Sequence, residues 1–423
     1  MEQGGINESL TIVIKLGTSS IVDEKTKEPI LSILTLIVEA AVHLRQAGHN
    51  VIIVSSGAVG VGLRRMDIEK RPVHLPAVQA MAAVGQCRLM SLWDGLFEHL
   101  RQPVAQVLLT RNDIADRTQY INAQNTLKEL LKMGVIPIVN ENDTLAVSEI
   151  KFGDNDTLSA ITAAMVKADF LFLMTDVDGL YTANPRTNPD AEVIEEIHDI
   201  SSLQADVSTA GSSLGTGGMS TKITAAKLGT SAGVMTIITR SSTPGNIAEI
   251  VNWLQLTEQG TKDVPGLKKP PLHTRFIPSR TPMLSRSFWI LHGLKPHGTI
   301  YMDQGAYNAI HDRAAGLLPA GIVAVDGHFG QQESVRLVVV HKSDPTSLDG
   351  QFMFGGEHPK EVGRAVVNYD STEIGLIKGL RSTQIYSVLG YADSQYVALR
   401  ENISFFDAAT PGSPRNGSTS PAH

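Results

Sequence analysis

Apolar residues over roughly the first 255 positions follow two alternating rhythms. Thr11-Ile12-Val13-Ile14-Lys15 is a short continuous apolar run and predicts a buried strand, whereas residues 30–47 repeat apolar positions at helical spacing until Gly48 stops them. Val51-Ile52-Ile53-Val54 predicts the next strand, 77–100 a helix, 104–109 a strand and 119–133 a helix. Val135-Ile136-Pro137-Ile138-Val139 then predicts a strand ending in Asn140-Glu141-Asn142-Asp143. The alternation continues through a helix at 156–167, a strand at 170–174, a helix over 221–231 and a strand at 234–238. Strands that are continuous apolar runs, each followed by a helix, specify an open, mostly parallel sheet covered on both faces, an α/β sandwich. Such sheets bind ligands beyond the carboxyl ends of their strands. Those ends are Lys15-Leu16-Gly17-Thr18, Ser55-Ser56-Gly57, Asn140-Glu141-Asn142-Asp143 and Thr175-Asp176. Lys15 stands out among them, because a charge closing an apolar strand is costly without a partner.

The rhythm breaks at 256–285, where Gly260, Pro265, Gly266, Pro270, Pro271, Pro278 and Pro282 accumulate beside Lys268-Lys269 and predict a linker after a first domain spanning 8–255. Short strand-like segments follow at 288–291, 298–301, 321–325 and 335–340, with helical patches at 304–315 and 369–378. They predict a small β-rich domain over 286–401. The Pro/Ser/Gly/Asn-rich stretch 407–423 is expected to be disordered. No internal repeat is visible.

Composition narrows the function classes. A formal charge of −7 and a pI near 6.0 argue against a protein whose main task is to coat nucleic acid or an anionic membrane. The single cysteine, Cys87, excludes an intramolecular disulfide and a Cys-rich zinc site, and reads as a small helix residue near the core. The chain is polar up to Leu10 and the first apolar stretch is too short for a signal or membrane segment, so cytoplasmic residence is expected. Histidines are scattered without metal-binding spacing; His292 and His297 read as surface or capping residues, and no transition-metal site is expected.

The run Leu214-Gly215-Thr216-Gly217-Gly218-Met219-Ser220-Thr221-Lys222 delivers a lysine to the start of a predicted helix. Backbone N–H groups freed by glycine, a helix N-terminus and a lysine suit a polyphosphate. The run is not a Walker A loop, since the lysine follows Ser-Thr rather than Gly. Taken alone, it reads more readily as a loop ending in a helix cap than as a site.

Six segments in order change that weighting. Ile14-Lys15-Leu16-Gly17-Thr18-Ser19, Val54-Ser55-Ser56-Gly57-Ala58, Asn140-Glu141-Asn142-Asp143, Phe152-Gly153-Asp154-Asn155-Asp156, Leu173-Met174-Thr175-Asp176 with Gly179-Leu180-Tyr181-Thr182, and the 215–222 run together resemble the glutamate 5-kinases of the amino acid kinase superfamily. The likeness covers about 10–255. The region 286–401, through Gly298–Ala306 and Leu317–Ile322, resembles a PUA domain.

The resemblance implies transfer of a phosphoryl group from ATP, with Mg²⁺ on its phosphates, to the γ-carboxylate of L-glutamate. It gives Lys15 and Lys222 the part of bracketing the transferring group and Asp156 that of organising the two lysines. Ser56, Asp143 and Asn155 would hold glutamate, and Lys15, Thr175, Asp176, Thr216, Gly217, Gly218, Met219, Ser220, Thr221 and Lys222 would contact ATP. Lys151 and Asp154 lie close in sequence, but equally form a solvated pair and are left outside the site. The resemblance further implies γ-glutamyl phosphate as the first intermediate of proline synthesis, proline as inhibitor, a homo-oligomer, and a separate reductase for the product.

Three rivals remain at this stage. One is a sister kinase acting on acetylglutamate, aspartate, carbamate or UMP. Another is an RNA-binding protein working through the C-terminal domain, disfavoured by 10 basic against 11 acidic residues over 286–400. The last is a regulatory or filament-forming protein without catalysis, against which both lysines and Asp156 are present.

Overall fold

The computed structural model describes residues 9–23, 25–145, 155–183, 185, 187–200, 218–258, 269–279, 285–294, 296–340, 346–348, 351–353 and 361–406. The chain divides into two compact units, Met1–Pro282 and Met283–His423. Strands of the first are β1 (Thr11–Leu16), β2 (Asn50–Ser55), β3 (Val104–Leu109), β4 (Ile136–Glu141), β5 (Phe170–Thr175), β6 (Glu196–Ile197), β7 (Met235–Arg240) and β8 (Thr274–Phe276). They form one sheet in the order β3-β4-β2-β1-β5-β7-β8-β6. From β3 to β7 every neighbouring pair is parallel; β8 is antiparallel to β7, and β6 is parallel to β8. The intervening helices are α1 (Thr18–Ile21), α2 (Leu31–Gln46), α3 (Ala58–Arg65), α4 (Leu75–Glu98), α5 (Arg111–Ala115), α6 (Arg117–Lys132), α7 (Asn155–Val166), α8 (Met219–Ser231) and α9 (Asn246–Glu258).

Alternation along β1 sorts its residues between two faces. Ile12, Ile14 and Leu16 belong to a core shared with Leu34, Ile37 and Ala41 of α2, Leu89, Trp93 and Phe97 of α4, and Ile247, Ile250 and Leu254 of α9. Val13 and Lys15 therefore point to the opposite face. There lies α7, whose residues from Leu158 to Val166 are all buried. β4 and β5 flank the pair β2-β1 from opposite sides, so the connection carrying α7 crosses the sheet at β1. Crossings of this kind open a crevice at the carboxyl ends of the strands.

Two expectations change in the Pro-rich region and just beyond it. Within the stretch 256–285 expected to be a linker, α9 runs on to Glu258 and Thr274–Phe276 is strand β8 of the main sheet. Thr274 and Phe276 are fully buried, and the Thr274 hydroxyl accepts a 2.7 Å bond from the Leu180 N–H. A three-residue strand between prolines is invisible to a composition signal averaged over thirty positions. The segment 288–291, expected to be a strand, is helical: α10 (Ser285–Phe288) runs into a π-helical turn, Trp289–Gly293. All four of its residues are buried, and a run that is apolar on every side has no period to read. Residues 407–423, expected to be disordered, lie outside the described residues.

The second unit holds a five-stranded sheet of β9 (Gly298–Asp303), β10 (Ile322–Gly327), β11 (Ser334–Val340), β14 (Glu361–Val366) and β15 (Ile403–Phe405), in the order β10-β9-β11-β14-β15. A hairpin of β12 (Thr346–Leu348) and β13 (Gln351–Met353) stands apart from it, and α11 (Gln304–Arg313), α12 (Ser371–Ile377) and α13 (Ile385–Leu389) complete the unit. β9 pairs with β11 in parallel, and the other strand pairs of the five are antiparallel. His292 is half-buried, with ring centroids 5.0 Å from Phe288 and 6.4 Å from Phe406, rather than on the surface. Among the described residues no helix is long and apolar enough to cross a membrane.

Helices α3 and α4 meet at bare backbone. A Cβ placed on Gly85 would lie 1.7 Å from the Ala58 carbonyl oxygen, and one on Gly62 would lie 1.9 Å from that of Met81. Cys87, expected near the core, is exposed on α4: the buried side of this helix runs through Met81, Ala82, Gly85, Leu89 and Trp93, and position 87 faces away. The close approach predicts that Gly85→Ala destabilises the fold by at least roughly 1–3 kcal/mol, the cost of overpacking. Thermal unfolding measures it, and an unchanged midpoint would contradict backbone contact between these helices.

Candidate active site

Lys15 reaches the carboxyl edge of the sheet from β1 as a buried ammonium group. Its Nζ stands 2.5 Å from Asp156 Oδ1 as an ion pair. Asp156, fully buried in the first turn of α7, faces a second lysine: Lys222 Nζ is 3.5 Å from Oδ2. Lys222 belongs to the first turn of α8 and is 7% exposed. Thr221, beside it, donates its hydroxyl to Asp156 Oδ2 at 2.7 Å and accepts the Gly218 N–H at 3.0 Å. One threonine thereby caps α8 and ties its start to α7.

Positively charged groups gather at this point. Two ammonium groups share one carboxylate, and the N-termini of α7 and α8 add the positive ends of two helix dipoles. Ammonium groups beside a helix start are the elements from which phosphate oxygens can be bound. Among the described residues, no three His, Cys, Asp or Glu side chains gather at metal-binding distance.

A second, uncharged cluster adjoins the first through consecutive residues of α7. Asn155 Nδ2 donates to Ser56 Oγ at 2.8 Å and to Asn140 Oδ1 at 3.1 Å. Its own Oδ1 is buried without a hydrogen-bond partner among the described residues. Ser56 follows β2 and is held by its N–H to the Leu16 carbonyl, 3.2 Å away. Gly57 turns the chain there with φ of +102°, a conformation that suits glycine. Neighbouring Ser55 accepts the Trp93 indole N–H at 3.2 Å. Asp143 lies half-buried in the turn after β4.

On the other side of β1, Thr175 ends β5 and donates to Asp176 Oδ1 at 3.2 Å. Beside them Arg240, the register partner of Thr175 on β7, grips Asp178 with two bonds of 2.7 and 2.6 Å. These bonds are the first cause holding the Asp178 carboxyl below its ordinary value. Met219 and Ser220 form the first turn of α8 after Gly218. Thr216, Gly217, Lys151 and Asp154 lie outside the described residues.

Sequence reasoning thus singles out the lysine–aspartate cluster; it names Ser55 and Asn140 as strand ends without giving either a role, and it passes over Gln86 and the Asp178–Arg240 pair. Asn140 carries a readable sign: it continues the inward row of Ile136 and Ile138, where an amide must find partners. Gln86, whose Oε1 accepts from Asn140 Nδ2 at 2.8 Å, has no such sign, being one polar position on a long helix.

Asp156 gives the cluster a definite pH response. Burial by itself raises its carboxyl, but the charge of Lys15, then that of Lys222, together with the Thr221 bond, outweigh it and hold the group below 3.8. A carboxyl depressed on folding contributes stability that is complete above its unfolded value and is lost as pH falls through the folded one. Asp156→Asn is expected to cost roughly 3–5 kcal/mol at neutral pH, as for a broken buried pair. That difference should hold from pH 7 to about 5 and shrink only below 3.8. Denaturant unfolding over this range checks it; a difference already shrinking near neutral pH would contradict the pairing.

Comparison with known proteins agrees with this architecture. The amino acid kinase family matches residues 10–240 and the PUA domain matches residues 298–389. The chain is 56% identical over 397 residues to a probable glutamate 5-kinase of Schizosaccharomyces pombe, covering 93% of each chain. It is 44% identical over 409 residues to a glutamate 5-kinase of Microcystis aeruginosa, covering 96% of this chain and 99% of that one. An uncharacterised protein of Saccharomyces cerevisiae is 47% identical over 424 residues, covering 95% and 99%. On this similarity the chain belongs to the amino acid kinase family, in its glutamate 5-kinase branch, and carries a PUA domain after the kinase domain.

Proposed function

We propose that this chain transfers the γ-phosphoryl group of ATP to the γ-carboxylate of L-glutamate, giving γ-glutamyl phosphate, the first step of proline synthesis. The observation that carries the reading is the buried triad in which Asp156 sits between Lys15 and Lys222, 2.5 and 3.5 Å away. A glutamate side chain is already ionised at neutral pH, so no general base is needed. A carboxylate oxygen forms the new bond to Pγ while the bond from Pγ to the β–γ bridging oxygen breaks, its electron pair leaving with ADP. No proton moves. The barrier is the meeting of two anions, and catalysis reduces to positioning and charge relief.

Lys15 and Lys222 supply that relief as fixed charges around the transferring group, and Asp156 holds them together against their repulsion. The first turn of α8, Met219 to Thr221, offers N–H groups to phosphate oxygens, and Thr216, Gly217 and Gly218 precede it in the ATP-contacting run. Thr175 and Asp176 face the nucleoside side. Mg²⁺ enters with ATP, on phosphate oxygens and water, and screens their charge. On the acceptor side, Asp143 suits the α-ammonium of an amino acid, and Ser56 and Asn155 provide hydroxyl and amide contacts. Proline, an amino acid of related shape, inhibits on this reading, and a separate reductase consumes the acyl phosphate.

Hydroxylamine trapping tests the reaction: ATP with free glutamate should yield the hydroxamate, and turnover only with acetylglutamate, aspartate, carbamate or UMP would overturn it. Lys222→Ala should lower kcat by about 10²–10³-fold, the loss typical of one charge-stabilising donor, with the fold intact by circular dichroism. Near-normal turnover in that variant would remove Lys222 from the chemistry.

A further inference from the structure

We propose that Gln86 of α4 is a positioning residue for the acceptor side of the site: through Asn140 it sets which end of the Asn155 amide is presented to the substrate. The inference rests on the reading that Asn155 and Ser56 hold the amino acid.

The bonds admit one orientation for each amide. Asn140 Oδ1 receives two donors, Asn155 Nδ2 at 3.1 Å and the Glu141 N–H at 2.9 Å, so an oxygen must stand there. The Asn140 NH₂ is thereby turned toward α4, where Gln86 Oε1 accepts it at 2.8 Å. Asn140 is 2% exposed, and its NH₂ would have to be satisfied from elsewhere if Gln86 gave no acceptor. With Asn140 locked, the Asn155 NH₂ lies between Asn140 Oδ1 and Ser56 Oγ. Asn155 Oδ1 then points away from both, a buried acceptor without a partner among the described residues. An acceptor left over in this way matches a substrate ammonium. Were Asn140 to turn over, its NH₂ would confront two donors, and Asn155 would lose the nearer of the two carbonyl oxygens that fix its orientation, keeping only that of Ser55 at 3.4 Å. An NH₂ in place of Oδ1 would then repel an ammonium group.

Gln86 acts from a distance. It is half-buried in the wall of an open groove of about 510 Å³, with Cys87, Met90, Leu108 and Thr144. A residue with only a packing role there would affect stability. A positioning residue for the acceptor side affects the affinity for one substrate and spares the other.

Steady-state kinetics of the full chain, varying glutamate and ATP separately, separate these cases. Gln86→Leu should raise the KM for glutamate about tenfold, the effect of one lost buried hydrogen bond, while the KM for ATP and kcat stay close to wild type. Gln86→Glu retains an acceptor oxygen at the same reach and should restore the glutamate KM. Gln86→Met, of matching length but without the acceptor, replaces the leucine variant if that one does not fold. An unchanged glutamate KM in a folded apolar variant, a parallel rise in the ATP KM, or a glutamate variant no better than leucine would each overturn the proposal. Asn155→Ala distinguishes the two levels: if it raises the glutamate KM and Gln86→Leu does not, the positioning role fails alone. If Asn155→Ala leaves the glutamate KM unchanged, the substrate reading fails and takes Gln86 with it.

Discussion

Two buried ammonium groups repel one another strongly unless a counter-charge lies between them, and in this chain that counter-charge is the fully buried Asp156. Much of the first unit is arranged around this need. Lys15 near the end of β1 shares with Val13 the face opposite the main core, and α7 crosses that face with Asp156 in its first turn. α8 begins where Thr221 can hydrogen-bond the same carboxylate, which places Lys222 one residue further on. Three segments far apart in the sequence are thus joined at one carboxyl group. The joint brings together two ammonium groups and two helix N-termini, groups that suit phosphate.

On the proposed reading the site has a phosphate side and an acceptor side, and the two use different physics. Toward the phosphates the interactions are ionic and long in range, and they tolerate tenths of an ångström. Toward the proposed acceptor side they are neutral hydrogen bonds among Ser56, Asn155, Asn140 and Gln86, short and directional. Consecutive residues on α7, Asn155 and Asp156, belong to the neutral and the ionic cluster respectively, so the helix start sets the spacing between the two.

The sandwich itself is legible from periodicity, because β1, β2, β4 and β5 are continuous apolar runs and α2, α4, α6 and α7 carry helical spacing between them. Lys15 is legible as a charge that ends a buried strand, and Lys222 as the end of a glycine-rich run. What the sequence conceals is of two kinds. Strand β8 is three residues long among prolines, and the helical turn at 288–291 is apolar on all sides, so neither has a period that identifies it. Gln86 is hidden for another reason: its importance lies in a bond to Asn140, a side chain 54 positions away. No local pattern contains such a pair, and neither does the Arg240–Asp178 grip, 62 positions apart, beside Thr175 and Asp176.

The coupling of both lysines through Asp156 is most directly tested by a double-mutant cycle on kcat with Lys15→Ala, Lys222→Ala and the double variant. If Asp156 makes them one unit, the double variant loses little beyond the larger single loss, the strong non-additivity of groups that act together. Losses that multiply in full would show two independent charges and contradict the shared carboxylate as the organising element.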